Sequence, residues 1–150
     1  MTASRIPCLS LWQPWASLVV QGHKRIENRT WPPPAWIIGK QLWIHAAKRF
    51  DAARSKALAE EAPDLAEVIA ECSCDCPGGA LLGSVTVVGC ASWHQRPLGL
   101  TQEQDLDATF DPWFCGPWGW VLTDARVLEV PQALRGRQGI WWEQTPEVLR

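Results

Sequence analysis

A run of apolar, β-favouring residues extends from 80 to 93 and carries two glycines in its interior, Gly83 and Gly89. That is long for a strand, and an interior glycine marks a bulge or a close backbone approach. A chain organised around such a strand folds into a small, strongly bent sheet. Shorter strands are predicted over residues 8–11, 41–47, 118–130 and 139–142, with residues 23–31 extended around Ile26. Between them, Trp15, Leu18 and Val19 give one apolar helical face. Ser10 is its expected cap, Pro14 suits its first turn and Gly22 is placed to end it. Pro32-Pro33-Pro34 forms a rigid loop. Residues 50–62 are Ala-rich and helical, and a second helix starts at Pro63 with Leu65, Val68 and Ile69 on one face. These two helices form an αα insertion at about 50–72. Residues 72–79 read as a loop, and residues 94–112 as irregular with a helical turn at 101–106. The order of elements predicts an α+β fold, a small bent sheet or barrel with flanking helices.

The chain has 150 residues, the size of one domain. Its 47% hydrophobic and 20% charged residues exclude disorder. No window reaches the roughly 18 apolar residues of a membrane span. The first twenty residues make a poor signal peptide, because Gln13 and Pro14 break the apolar run. A cytoplasmic protein with six reduced cysteines is the expectation. Cys72, Cys74 and Cys76 are spaced more tightly than structural zinc ligands and have no nearby His. Loop or buried thiols are expected there, with no metal and no cofactor.

Eleven tryptophans stand against three phenylalanines and no tyrosine. Most are expected in the core, leaving one or two as exposed stacking surfaces for nucleobases. The net charge of −2 hides a strong asymmetry. Residues 1–56 carry nine Lys and Arg against Glu27 and Asp51, a net of +7, and the remainder carries −9. Such a division fits a polyanionic partner on one face, and it equally fits pairing of the two halves with each other.

The densest polar cluster is Gly22-His23-Lys24-Arg25-Ile26-Glu27-Asn28-Arg29. A Lys and a carboxylate in one cleft can do acid/base work or orient a polar base; the alternative is a solvated edge strand. His45, ending an apolar strand before Lys48 and Arg49, is either a hydrogen-bonded core residue or part of that cleft.

Leu9-Ser10-Leu11-Trp12-Gln13-Pro14-Trp15-Ala16, then Gly22-x-Lys24-x-x-Glu27-x-Arg29-x-Trp31, then Ile44-His45-Ala46 resembles the ASCH family (activating signal cointegrator homology) of the PUA-like superfamily. Gly83-x-Val85-x-Val87, Gly116-x-Trp118-x-Trp120 and Gly136-x-Gln138-Gly139-Ile140-Trp141 extend the match over most of the chain, apart from residues 51–79 and 94–112. The resemblance implies a PUA-like β-barrel with a cleft beside the first helix, and a role in binding RNA or other nucleic acid. Some bacterial members hydrolyse acetylated cytidine with the Lys of this motif, and a ribonuclease activity is attributed to others. Lys24 matches that Lys, whereas Glu27 stands where the hydrolases carry Thr, which favours binding.

The leading expectation is therefore a single ASCH domain over residues 1–150 that grips RNA or single-stranded DNA. Lys24, Arg25, Arg29, Lys48 and Arg49 would meet phosphates. Gln13, Glu27 and His45, with Trp15 and Trp118, would receive a base in a basic cleft. The alternative is a small hydrolase of modified nucleosides or RNA, with Lys24 and Glu27 catalytic. A protein-interaction module is a third reading. Lys24 and Glu27, as polar site residues, are expected to be replaceable at little cost in stability.

Overall fold

The computed structural model describes residues 4–74 and 78–149. Six strands form one sheet: β1 (Arg5–Gln13), β2 (Ile26–Arg29), β3 (Gln41–Phe50), β4 (Ala80–Ser92), β5 (Trp118–Ala133) and β6 (Ile140–Gln144). Their order is β2-β5-β4-β3-β1-β6. β1 and β3 run parallel, and the other pairs are antiparallel. Among the described residues no ladder joins β2 to β6, so the sheet is open where a closed barrel was expected. It nevertheless curls far enough for Arg29 of β2 to donate to the carbonyl of Ser10 in β1, at 3.1 Å, four places away in the strand order.

Three register shifts between β4 and β5 produce much of that curl, two of them beside Gly83 and Gly89. At Gly83 the β5 backbone lies so close that a Cβ would sit 2.0 Å from the Arg126 carbonyl oxygen. The concave side is filled by Leu9, Leu11, Ile44, Val85, Val87 and Trp120, with α1 (Trp15–Val20) packed across it. Aliphatic side chains supply most of this core. Of the tryptophans only Trp120 and Trp141 are buried; Trp12, Trp36, Trp93 and Trp142 are exposed, and the other five are half-buried. Half-burial is the usual state of so large a side chain in a small domain, because few sites enclose an indole on every side.

The insertion consists of α2 (Ala52–Glu61) and α3 (Ala66–Cys74), joined by a short 3-10 turn. Leu65 and Ile69 pack on Leu18, which docks the insertion against α1. α3 runs further than expected, so Cys72 lies in a helix and is buried. Cys76 and the side chain of Cys74 lie outside the described residues. Among the described residues no group of three His, Cys, Asp or Glu is arranged to hold a metal ion. Nor is any helix there long and apolar enough to cross a membrane. The helical turn expected at 101–106 extends into α4 (Gln102–Thr109), opened by a capping box of Thr101 and Gln104.

Burial pushes the Cys8 thiol up to about 12, with Glu143 adding to the effect, and burial with Asp105 does the same for Cys90. Cys115 is exposed. An alkylating reagent at neutral pH should therefore label Cys115 in the native protein and reach Cys8 and Cys90 only after unfolding. Peptide mapping of labelled protein checks this; native labelling of Cys8 or Cys90 would contradict the packing described.

Candidate functional site

The first turn of α1 places the site. Pro14 precedes the helix, and the Ser17 amide donates to Gln13 Oε1 at 3.1 Å while Gln13 Nε2 donates to Ser17 Oγ at 3.0 Å. Gln13, not Ser10, thus engages one orphan amide of this helix, that of Ser17, and it is buried in doing so. The helix ends at Val20 and Gly22 turns the chain with a positive φ, after which the amides of His23 and Lys24 both donate to the Leu18 carbonyl. That turn leaves Lys24 outside the β2 ladder, which begins at Ile26.

Freed from strand alternation, Lys24 curls back. Its Nζ donates to the Ile26 carbonyl and, at 2.9 Å, to Glu27 Oε2. The other carboxylate oxygen of Glu27 lies 3.3 Å from Arg29 Nε. One carboxylate is flanked by two cations, and Lys24 and Glu27 are only 7% and 9% exposed. Removing one partner of a buried ion pair costs about 3–5 kcal/mol, so the small stability effect expected for these residues is corrected by their burial.

Lys24 and Glu27 open onto a cavity of about 630 Å³ between β2, α2 and the loop before β5. Trp15 and Trp113 are its aromatic walls, and Asp51, Arg54 and Glu61 face it from the insertion. Asn28 pins the Trp113 loop, donating to the Trp113 carbonyl at 2.8 Å and accepting from the Cys115 amide at 2.9 Å. The lining carries Lys24 and Arg54 against Glu27, Asp51 and Glu61. This cleft is therefore not basic, contrary to the sequence reading. Asp51, Arg54 and Glu61 were missed because nothing local in the insertion says where it docks.

His45 does not join this cluster. It is buried in a second cavity of about 680 Å³ beside Ser10 and Lys48, which shares no lining residue with the first. Its Nε2 lies 2.7 Å from the Leu134 carbonyl oxygen, which can only accept, so Nε2 carries the hydrogen. Burial holds the imidazole below its ordinary value, opposed by that bond. The neutral ring therefore accepts through Nδ1 from Ser10 Oγ, 2.9 Å away. Arg25, Lys48 and Arg49 are exposed, and Arg49 lies 4.0 Å over the Trp12 ring. Trp15 lines the first cavity, whereas Trp118 is half-buried against the main core. The basic N-terminal segment and acidic remainder do not map onto separate faces: Arg135 and Arg137 join Lys48, while Glu61 joins Lys24.

These features define an α+β domain with one curled sheet, a buried Lys–Glu pair beside a half-buried Arg at its edge strand, and an aromatic-walled cavity beside its first helix. The chain belongs to the ASCH domain family, whose profile matches residues 9–132. It is 33% identical over 135 residues to human (Homo sapiens) Activating signal cointegrator 1, and 34% identical over 138 residues to the mouse (Mus musculus) protein of that name. Each match covers 89% of this chain and 22% of the relative, so the chain spans about a fifth of the length of these curated relatives. The crystal structure of ASCH from Zymomonas mobilis superposes with a TM-score of 0.50 at 19% identity, over 92% of this chain and 87% of that one. That likeness concerns the fold.

Proposed function

We propose that this ASCH domain binds single-stranded nucleic acid, RNA or single-stranded DNA, in the cytoplasm, on a scaffold akin to the PUA-like folds. The observation that carries the reading is the Lys24–Glu27 pair: a donor and an acceptor, 2.9 Å apart, at the floor of a cavity walled by Trp15 and Trp113. Unstacked bases are read in this way, by hydrogen bonds to their edges and by aromatic stacking. Two acceptors already hold the Lys24 amine, which leaves it placed to donate to a base. The exposed cations Arg25, Lys48 and Arg49 then supply phosphate contacts, which give affinity without sequence preference.

Titration of a fluorescent RNA and a DNA of the same sequence at 50 and 200 mM salt tests this. Three phosphate contacts in a single strand predict a loss of about twenty-fold in affinity across that interval, from roughly 0.7 counterions released per contact. Absence of binding to both polymers at low salt would rule the reading out. Glu27→Gln keeps the shape of the acceptor but not its charge, so it should alter base preference and leave the salt slope unchanged.

The alternative, a hydrolase of acetylated nucleosides or RNA with Lys24 and Glu27 catalytic, keeps the same cavity. Release of acetate from acetylcytidine by the parent protein, lost in Lys24→Arg, would establish it in place of simple binding.

A further inference from the structure

The second cavity has a charge pattern that the first lacks. Lys48, Arg135 and Arg137 line it, and no carboxylate does. None of the three belongs to an ion pair among the described residues. Three like charges around one recess repel one another, and a fold keeps them together at a cost unless an anion is their partner. The two arginines are brought there by a built contact. Gly136, between them, lies so close to the floor that a Cβ would sit 2.5 Å from His45 Cε1 and 2.7 Å from Ser10 Oγ. The His45 Nε2 bond to the Leu134 carbonyl holds the same segment two residues earlier. His45 is therefore a positioning residue: it fixes the backbone from which both arginines project.

The two strands that floor the cavity also lead away from it together. Two residues beyond Ser10 on β1 stands Trp12, 44% exposed, and next to Lys48 on β3 stands Arg49, whose guanidinium covers the Trp12 ring at 4.0 Å. Arg49 takes one face of this indole, and a base that stacks on the other face, or in place of the guanidinium, can do so while its phosphate is neutralised in the cationic recess.

We propose that this cavity is a second ligand site, one that takes a nucleotide phosphate between Lys48, Arg135 and Arg137 and stacks the adjoining base on Trp12. The proposal rests on the reading of the domain as nucleic-acid binding, and it assigns the phosphate grip to a place separate from the Lys24–Glu27 cavity. The same chemistry suits a phosphate within a strand or that of a free nucleotide.

The test compares the parent with Arg135→Gln/Arg137→Gln and with Trp12→Ala, using a roughly ten-nucleotide single-stranded RNA and adenosine monophosphate as probes. Both arginines are exposed, so the double variant should keep the fold, and a thermal melt confirms this. The double variant should bind the RNA at least about ten-fold more weakly, and its salt slope should fall by about 0.7, the share of one single-strand phosphate contact. Trp12→Ala should weaken RNA binding with the salt slope unchanged. If the parent binds the RNA and the double variant does so with the same affinity and slope, the second site is wrong while the nucleic-acid reading stands. If the parent binds no RNA yet binds adenosine monophosphate through these arginines, the site stands and takes a free nucleotide. Failure of the parent to bind either probe overturns both.

Discussion

Glu27→Ala is expected to lower stability by about 3–5 kcal/mol, a large part of what a domain of this size possesses. The carboxylate it removes holds Lys24 at 2.9 Å and lies 3.3 Å from Arg29 Nε. Arg29 Nε is buried and has no hydrogen-bond partner, and although the guanidinium also donates to the Ser10 carbonyl, Glu27 is the carboxylate that balances its charge. Without Glu27, two cations face each other in a poorly hydrated corner of the sheet. Lys24→Met removes one of those cations, so in the Glu27→Ala background it should cost less than it does alone. Urea denaturation of the four proteins in this cycle measures both effects. A loss below about 1 kcal/mol for Glu27→Ala would mean that water reaches the cluster and that it behaves as a surface pair. Because stability and binding change together here, Glu27→Gln is the better variant for following base preference.

Gly83→Val should be comparably damaging for a different reason. A Cβ at this position would lie 2.0 Å from the Arg126 carbonyl oxygen and 3.0 Å from its carbon, and both belong to the backbone of β5. No rotamer relieves a clash with main chain; one strand must move. The pairing there already shifts register on either side of Gly83, so displacement of β5 removes ladder hydrogen bonds as well as packing. Overpacking costs about 1–3 kcal/mol where neighbours can yield, and the upper end is expected where they are backbone. For a domain of this length that lowers the melting temperature by about 6–12 °C. A Gly83→Val protein melting within about 2 °C of the parent would show that β4 and β5 are further apart than described.

The candidate site was legible in part. Lys24 and Glu27 stand three residues apart just after a helix, so only a turn, not alternation, brings them together, and the placement of Gly22 signalled that turn. Gln13 and His45 were visible as polar residues in apolar runs, and each is spent on structure: Gln13 on the start of α1, His45 on Ser10 and the Leu134 carbonyl. The basic cleft was attributed to the N-terminal segment because charge was counted along the chain. Electrostatic potential adds in space, where Arg135 and Arg137 stand beside Lys48 and where Asp51 and Glu61 share the cavity of Lys24.

Local chemistry written in the order of residues determined the strands, the bulged glycines of β4, the helical insertion and the Lys24–Glu27 turn, since each depends on neighbours a few positions away. Only the tertiary structure decided that the sheet curls without closing, that α2 walls the Lys24 cavity, and that His45 serves a second one. These depend on contacts between residues tens of positions apart, such as Ser10 with His45 and His45 with Leu134. Such contacts form only when the burial of a shared core outweighs the entropy of closing the intervening loops, a balance that no short stretch of sequence contains.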